Sequence, residues 1–265
     1  MLAYVISDGI RSSFTSTFLQ LSGQKLTLIV EPAVFIGEDE YRQISHQSRE
    51  FHKSLYGRAL TIGEVGCALA HENVYRDFLE RSEDWCLVLE DDAQIADVPR
   101  FVSRALSIFP VLDSNKPIIV SMFFQNFTVG KFAKRGPIGG TYWSKLAPYG
   151  AVAYLVNRLA AERILRAQSE NRHQADWPVT ARDVKFLLDF SKMVTHPQSD
   201  GAKQSLIGVR HQREEVSLLI QRVKYYAGTR WGLQHGNFSN FPNYWRWHLF
   251  PGLVRLWYST IHKNV

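Results

Sequence analysis

Three consecutive carboxylates, Glu90, Asp91 and Asp92, directly follow a short apolar run, residues 85–89. An apolar run without polar alternation predicts a strand buried on both faces, as in a parallel sheet covered by helices. Ligands of open α/β sheets collect at the carboxyl ends of strands, and adjacent carboxylates repel one another, so we expect a cation to join these acids. Mg²⁺ and Mn²⁺ take oxygen ligands of this kind. The alternative is a solvated acidic turn.

The surrounding sequence alternates between strand and helix patterns. Apolar runs at 2–6 and 25–30 predict two strands on either side of a short helix, and further strands are predicted at 117–122 and 150–156. Side chains suited to capping a helix N-terminus precede four further helical patterns, at Thr61 (with Glu64 three residues on), Asp97, Asn157 and Thr180. The chain is therefore predicted to be an α/β protein whose sheet is flanked by helices.

Several polar side chains fall where such a fold could use them. Ser7 and Arg11 follow the first strand, where a nucleotide would bind, although a lone arginine after a turn is also a common surface residue. Glu64 and His71 lie two helical turns apart on one face, with a structural histidine as the alternative. Asp176 precedes Trp177 in a short connection that is equally consistent with a turn leading into a helix.

Composition limits the class of protein. The chain has 265 residues, 45% of them hydrophobic, which suits one large or two small domains. No run approaches the roughly 18 apolar residues that cross a bilayer, and no basic leader opens the chain, so we expect a cytoplasmic protein. The two cysteines, Cys67 and Cys86, are interpreted as buried small hydrophobic residues, and redox chemistry is not expected.

The net charge of +6 lies entirely in the last 50 residues. Residues 216–265 contain six Lys or Arg, eleven aromatic residues and no Asp or Glu, whereas the first 215 residues carry 25 basic and 25 acidic side chains. Within this tail, residues 253–263 predict an amphipathic helix, and residues 244–250 interleave aromatics with cations. We therefore expect peripheral association of 241–263 with an anionic membrane surface. Packing of these aromatics on the rest of the protein is the alternative.

Three segments together resemble glycosyltransferase family 25, the lipopolysaccharide galactosyl- and glucosyltransferases to which collagen galactosyltransferases are related. They are residues 60–71, with a Gly-Glu-aliphatic-Gly-Cys pattern that ends in histidine, residues 87–92 with the three acids, and residues 149–156. The resemblance covers about residues 1–207. It departs from the family where Arg11 stands in place of a pair of arginines, and where Ala70 replaces the serine often found before His71.

This resemblance implies a GT-A-like fold, a Rossmann-type nucleotide-binding sheet in residues 1–207. Composition and periodicity, without the resemblance, predict a basic, aromatic, helical extension in residues 208–265. The resemblance implies a metal-dependent inverting transferase that moves a hexose, with galactose as the expected sugar, from a UDP-sugar to a lipopolysaccharide or other cell-surface glycan. Mn²⁺ or Mg²⁺ would act as the Lewis acid. We expect the protein on the inner face of the cytoplasmic membrane, with a glycan or glycolipid acceptor and no nucleic acid as partner.

The resemblance also implies roles for individual residues. Successive residues of an extended chain point to opposite sides, so Glu90 and Asp92 are predicted to share a face and Asp91 to lie on the other. The expected metal ligands are Asp92, Glu90 and His196, and the expected donor contacts are Ser7, Arg11, Glu90 and Asp91. Asp176 is the first choice for the base, beside a Trp177 that excludes water or stacks on the sugar, and His71 and Glu64 are second choices.

Two other functions remain open. A non-catalytic module that binds membranes or nucleic acid would explain the basic aromatic tail but would leave the acids after the buried strand without a role. A metal-dependent nucleotidyltransferase would also place acids at strand ends, but no glycine-rich phosphate loop supports it.

Overall fold

The computed structural model describes residues 1–9, 18, 20–43, 59–124, 133–144, 147–148, 150–170, 175, 177 and 183–196. The main sheet is formed by β1 (Leu2–Ser7), β2 (Thr27–Pro32), β3 (Trp85–Glu90), β5 (Ile118–Ser121), β6 (Ala133–Arg135), β7 (Thr141–Ser144), β8 (Ala153–Asn157) and β9 (Lys185–Asp189). A two-stranded ribbon is formed by β4 (Gln94–Ile95) and β10 (Val194–Thr195). The helices that pack on the sheet include α1 (Ile62–Glu80), α2 (Val98–Ile108) and α3 (Arg158–Glu170), and a 3-10 turn spans Phe109–Val111.

The main sheet has the strand order β2-β1-β3-β8-β5-β9-β7-β6. Strand β1 runs parallel to both β2 and β3, and β5 runs parallel to β9, whereas β8 and β7 run antiparallel to their neighbours. Six of these eight strands therefore point the same way. The predicted α/β class is confirmed. The expectation that β3 lies in a parallel sheet is correct for its neighbour β1 and wrong for its other neighbour, β8, which is antiparallel.

Helices cover both faces of the sheet, which explains why β3 has no polar alternation. Cys86 and Val88 point into a hydrophobic cluster that contains side chains of α1 and α3. Trp85, Leu87 and Leu89 point into a second cluster on the opposite face, with side chains of α2. Because both faces of β3 are buried, the strand is apolar along its whole length and ends at the first position where charge is tolerated.

The three predicted N-caps that fall on described residues are confirmed. At α1, the Glu64 N–H donates to the Thr61 hydroxyl at 3.2 Å while Glu64 Oε2 accepts from the Thr61 N–H at 2.8 Å. Asp97 at α2 and Asn157 at α3 each accept from the N–H three residues further on, both at 3.0 Å. Local hydrogen bonding of this kind satisfies amides that the helix itself leaves without partners.

One further feature differs from the sequence prediction. The residues after Thr180 were expected to begin a helix, but Lys185–Asp189 form β9, which lies between β5 and β7. Its residues 186–189 are buried, so the apolar run there is strand core. Thr180 itself lies outside the described residues.

Among the described residues, no helix combines the length and apolar character needed to span a bilayer. The predicted division at residue 207 and the predicted amphipathic helix of the tail fall on residues that the structure does not describe.

Candidate active site

The three acids lie at the carboxyl end of β3, where a turn rearranges them. Glu90 is the last residue of β3, and the Ala93 N–H donates to the Glu90 carbonyl at 3.0 Å, which closes a turn over Asp91 and Asp92. The chain therefore turns at these residues, whereas the predicted alternation of Glu90, Asp91 and Asp92 required an extended chain. The turn nevertheless separates the acids in the expected sense, because Asp91 contacts Ser7 at the end of β1 and Asp92 contacts His196, which follows β10.

Ser7 contacts Asp91. Strands β1 and β3 are parallel neighbours, so their carboxyl ends meet at one edge of the sheet. There the Ser7 hydroxyl donates to Asp91 Oδ2 at 3.1 Å and accepts from the Gly9 N–H at 2.9 Å. Gly9 has φ +75°, a conformation that glycine adopts without strain. Two of the four predicted donor contacts are thus adjacent, while Arg11 lies outside the described residues.

His196 reaches the acids through the ribbon of β4 and β10. The antiparallel register pairs Thr195 with Gln94, so the residue that follows β10 lies beside the acidic turn that precedes β4. His196 Nε2 lies 3.0 Å from Asp92 Oδ2, and the buried ring of Phe123 lies 5.9 Å from the His196 ring. A contact between residues 104 positions apart cannot be read from local sequence.

Glu90, Asp92 and His196, hereafter the acid–histidine cluster, could hold a metal ion. Each offers one ligand atom, and these atoms all lie within 4.8 Å of one another. Two carboxylate oxygens suit Mg²⁺ or Mn²⁺, and an imidazole nitrogen suits transition metals better than Mg²⁺. The donor set therefore fits a divalent ion, with Mn²⁺ fitting better than Mg²⁺.

His71 belongs to a buried hydrogen-bond network that sequence reasoning missed. It is 1% exposed, with Nε2 3.1 Å from Glu90 Oε1 and Nδ1 2.7 Å from the Tyr154 hydroxyl. The Tyr154 hydroxyl lies 2.6 Å from that of Tyr75. Burial raises the pKa of Tyr75 and of Tyr154 above the usual value of 10.0, so both hydroxyls stay protonated. The network holds Glu90 from within the core.

The interpretation of Cys67 as a buried hydrophobic residue is wrong. It is half-buried, and its Sγ lies 3.8 Å from Glu90 Oε1, so it is not simply a hydrophobic residue of the core. The signal that could have found it is the spacing of Cys67, His71 and Tyr75, which follow one another at intervals of four along α1 and therefore share a face.

The remaining candidates for the base differ in their surroundings. Glu64 is 3% exposed, and Oε2 serves the cap of α1. Asp176 lies outside the described residues. Trp177 is 4% exposed and packs edge-on against Tyr154 and at a tilt against Phe186, with ring centroids 5.0 and 5.6 Å away. The expectation that Trp177 stacks on the sugar is therefore wrong, because its ring is part of the core.

The sequence of this chain matches a known protein family. The family described as "Glycosyltransferase family 25 (LPS biosynthesis protein)" matches residues 15–179, more than half of the chain. The chain belongs to glycosyltransferase family 25. The resemblance noted above is confirmed, and membership implies a glycosyltransferase of lipopolysaccharide biosynthesis. The family match contains Glu64, His71, the three acids and Asp176, but it ends before His196.

No curated protein matches the chain significantly. Among solved structures, the crystal structure of A197 from STIV is similar at 10% identity and a TM-score of 0.36, with 80% of this chain and 98% of that chain covered. The crystal structure of mannose-1-phosphate geranyltransferase from Thermus thermophilus is similar at 9% identity and a TM-score of 0.38, with 71% and 73% covered. Neither likeness bears on function.

Proposed function

We propose that this family 25 protein is a metal-dependent, inverting transferase that moves a hexose, with galactose as the expected sugar, from a UDP-sugar to a lipopolysaccharide or related glycan. The observation that supports it is the acid–histidine cluster, in which two distant segments place oxygen and nitrogen ligands at the carboxyl end of β3. In open α/β sheets this is the edge at which nucleotides bind. A GT-A-type domain organisation is part of the proposal.

The acid–histidine cluster would hold the ion against the diphosphate of the donor. When bound, a divalent ion supplies Lewis-acid stabilisation of the negative charge that develops on the diphosphate leaving group. Asp92 and His196 are in direct contact, so each orients the other, and Glu90 is oriented by His71. Such support keeps ligands in position before the donor arrives.

Ser7 and Asp91 would bind the nucleoside part of the donor. They lie at the ends of neighbouring parallel strands, on the other side of the turn from the acid–histidine cluster. A carboxylate at this place can accept hydrogen bonds from ribose hydroxyls, and the Ser7 hydroxyl keeps it oriented. Arg11 would add a cation near the phosphates, in keeping with its place after β1 in the sequence.

Asp176 is the proposed base that takes the proton from the acceptor hydroxyl. Burial argues against His71 and Glu64 as the base, because they are 1% and 3% exposed and already take part in the contacts described above. A base must come within about 3 Å of the acceptor oxygen in a productive pose. Groups enclosed in the core do not meet this requirement without a rearrangement.

The test is an assay of purified full-length protein with UDP-galactose and UDP-glucose, with Mn²⁺, with Mg²⁺ and with excess chelator. The proposal expects metal-dependent release of UDP, faster with Mn²⁺ than with Mg²⁺, and sugar of inverted anomeric configuration in the product. Release of galactose 1-phosphate or glucose 1-phosphate, with transfer of UMP, would instead indicate the nucleotidyltransferase alternative. Turnover that persists in chelator would refute the metal requirement.

We also propose that the tail docks the enzyme on the inner face of the cytoplasmic membrane. The observation that favours it is the composition of residues 216–265, which combine six Lys or Arg and eleven aromatics with no acid. Mixtures of this kind settle at the headgroup boundary of anionic lipid. Docking would bring the active site to a membrane-embedded glycolipid acceptor.

A further inference from the structure

Cys67, His71 and Glu90 form a second group of potential metal ligands, hereafter the thiol–histidine cluster. Their ligand atoms all lie within 4.8 Å of one another. Cys67 and His71 are four residues apart on α1, so their side chains point the same way from one helix face, and Glu90 approaches them from the end of β3. Two elements of different kinds thus converge on one small volume.

The ligand types indicate which cation would fit. A thiolate, an imidazole and a carboxylate are all common zinc ligands, whereas Mg²⁺ does not take sulfur. Around one tetrahedral Zn²⁺, bond lengths of about 2.0 Å to nitrogen or oxygen and about 2.3 Å to sulfur place N and O roughly 3.3 Å apart and S and O roughly 3.5 Å apart. The observed separations, 3.1 Å for His71 Nε2 and 3.8 Å for Cys67 Sγ from Glu90 Oε1, lie close to these values.

The surroundings of His71 are those of a metal-binding histidine. Such a histidine usually has its other ring nitrogen held by a hydrogen bond, which fixes the ring and directs the free nitrogen to the ion. Here Nδ1 is 2.7 Å from the Tyr154 hydroxyl, the two rings stack at 5.8 Å, and Tyr75 supports Tyr154 from behind. Cys67 and Glu90 are half-buried, so the cluster is not sealed from solvent.

We propose that the thiol–histidine cluster is a binding site for Zn²⁺. Coordination releases the thiol proton of Cys67 to solvent, since a metal-bound thiol is deprotonated. Because Glu90 belongs to both clusters, zinc draws this carboxylate away from the acid–histidine cluster. Zinc therefore inhibits Mn²⁺-supported transfer, a consequence that rests on the proposed function, whereas zinc binding itself does not.

Co²⁺ is the probe, because a thiolate bound to tetrahedral Co²⁺ produces a sulfur-to-metal charge-transfer absorption band. Full-length protein titrated with Co²⁺ should show the band at one equivalent, and Zn²⁺ should abolish it. Cys67→Ser, which keeps the size of the side chain, should eliminate the band. The Zn²⁺ affinity of Cys67→Ser, measured by competition with a chelator, should fall by more than roughly 10- to 100-fold, which is the effect of losing a residue that only hydrogen-bonds to a metal ligand.

Cys86→Ala is the matched control. Cys86 is the other cysteine of the chain, it is buried in β3, and burial raises the pKa of its thiol, so its removal should leave the band intact. Circular dichroism of each variant establishes that the fold survives, and Cys67→Ala replaces Cys67→Ser if the latter is unfolded. No band in the wild-type protein, or a band that survives loss of the Cys67 thiol, overturns the zinc site.

Asp92→Asn separates this inference from the proposed function. It removes a ligand of the acid–histidine cluster and leaves all three residues of the thiol–histidine cluster in place. The cobalt band should therefore persist in Asp92→Asn. If the wild-type protein shows a band that depends on Cys67 but has no transferase activity, the proposed function is refuted and the zinc site stands. If it has transferase activity but shows no such band, the zinc site is refuted and the proposed function stands.

Discussion

Asp92 and His196 support one another as proposed metal ligands, and their substitutions test different properties of the site. Asp92→Asn keeps the size of the side chain and removes its charge, so we expect it to abolish metal-dependent turnover without unfolding the protein. His196→Gln removes the ligand that suits transition metals, so it should lower turnover with Mn²⁺ more than with Mg²⁺. The measurement is UDP release over a range of each metal.

Asp113→Asn is the matched control for this pair of substitutions. Asp113 is an exposed carboxylate that forms an ion pair with Lys116 away from the sheet edge, and its loss should leave turnover unchanged. If Asp92→Asn turned over at the wild-type rate, Asp92 would not be a metal ligand. Equal losses with both metals in His196→Gln would leave His196 a structural partner of Asp92.

Asp176→Asn tests the proposed base. The amide cannot accept the acceptor proton, so turnover should fall by about 10²- to 10⁴-fold, the usual contribution of general base catalysis. Binding of UDP and of the UDP-sugar, measured by titration calorimetry, should survive, because the base contacts the acceptor. Loss of binding together with rate would instead assign Asp176 to the donor or to the fold.

At the scale of elements, Gly66 allows α1 to pack closely on the segment that follows β2. A Cβ at residue 66 would lie 2.4 Å from the Val34 carbonyl oxygen, which is a backbone atom and cannot swing away. We expect Gly66→Ala to lower the free energy of unfolding by about 1–3 kcal/mol, as overpacking does. Urea unfolding measures it. Gly37→Ala is the control, since a Cβ there meets nothing within 4 Å, and equal effects of both substitutions would contradict the packing argument.

The tyrosine network between α1 and β8 predicts how stability changes at alkaline pH. Burial raises the pKa of Tyr75 and of Tyr154, so the folded protein keeps protons that the unfolded chain loses above pH 10. The stabilisation is therefore fully present below pH 10 and declines as pH rises beyond it. Each proton kept only by the folded state contributes a slope of about 1.4 kcal/mol per pH unit.

In Tyr75→Phe, the free energy of unfolding should fall less steeply above pH 10, by about 1.4 kcal/mol per pH unit, because one of the two tyrosine protons is removed. Urea unfolding from pH 8 to pH 11.5 gives the free energy of unfolding of both proteins. At pH 8 the variant should be somewhat less stable, because the hydrogen bond between the Tyr75 and Tyr154 hydroxyls is lost. Parallel curves for the two proteins above pH 10 would show that Tyr75 ionises equally in both states.

For the whole molecule, truncation after Asn240 tests the proposed membrane role of the tail. The full chain should float with anionic liposomes at low salt and dissociate as salt is raised, since salt screens the attraction of Lys and Arg to lipid headgroups. The truncated chain should stay in solution and keep its turnover on a soluble acceptor. Liposomes of neutral lipid are the control. Flotation of the truncated chain, or its unfolding, would contradict membrane docking by residues 241–263.

Features that depend on short stretches of sequence were predictable. The caps at Thr61, Asp97 and Asn157 are hydrogen bonds between residues three positions apart, and the pattern of side-chain types specifies them. Burial of residues 85–89 follows from an apolar run without alternation. The three acids at its end and the resemblance of residues 60–71 and 87–92 to a known family were equally readable, and the family was confirmed.

Features that depend on contacts between distant segments required the tertiary structure. His196 meets Asp92 across 104 residues because β10 pairs with β4, and His71 meets Tyr154 across 83 residues because α1 packs on the face of β8. Strand β9 was missed because a short apolar run is equally consistent with a strand and with a buried helix. Sequence by itself determined which side chains have ligand chemistry, since that is a property of residue type and local backbone. Only the tertiary structure decided which of them meet, because strand pairing and helix packing set those distances.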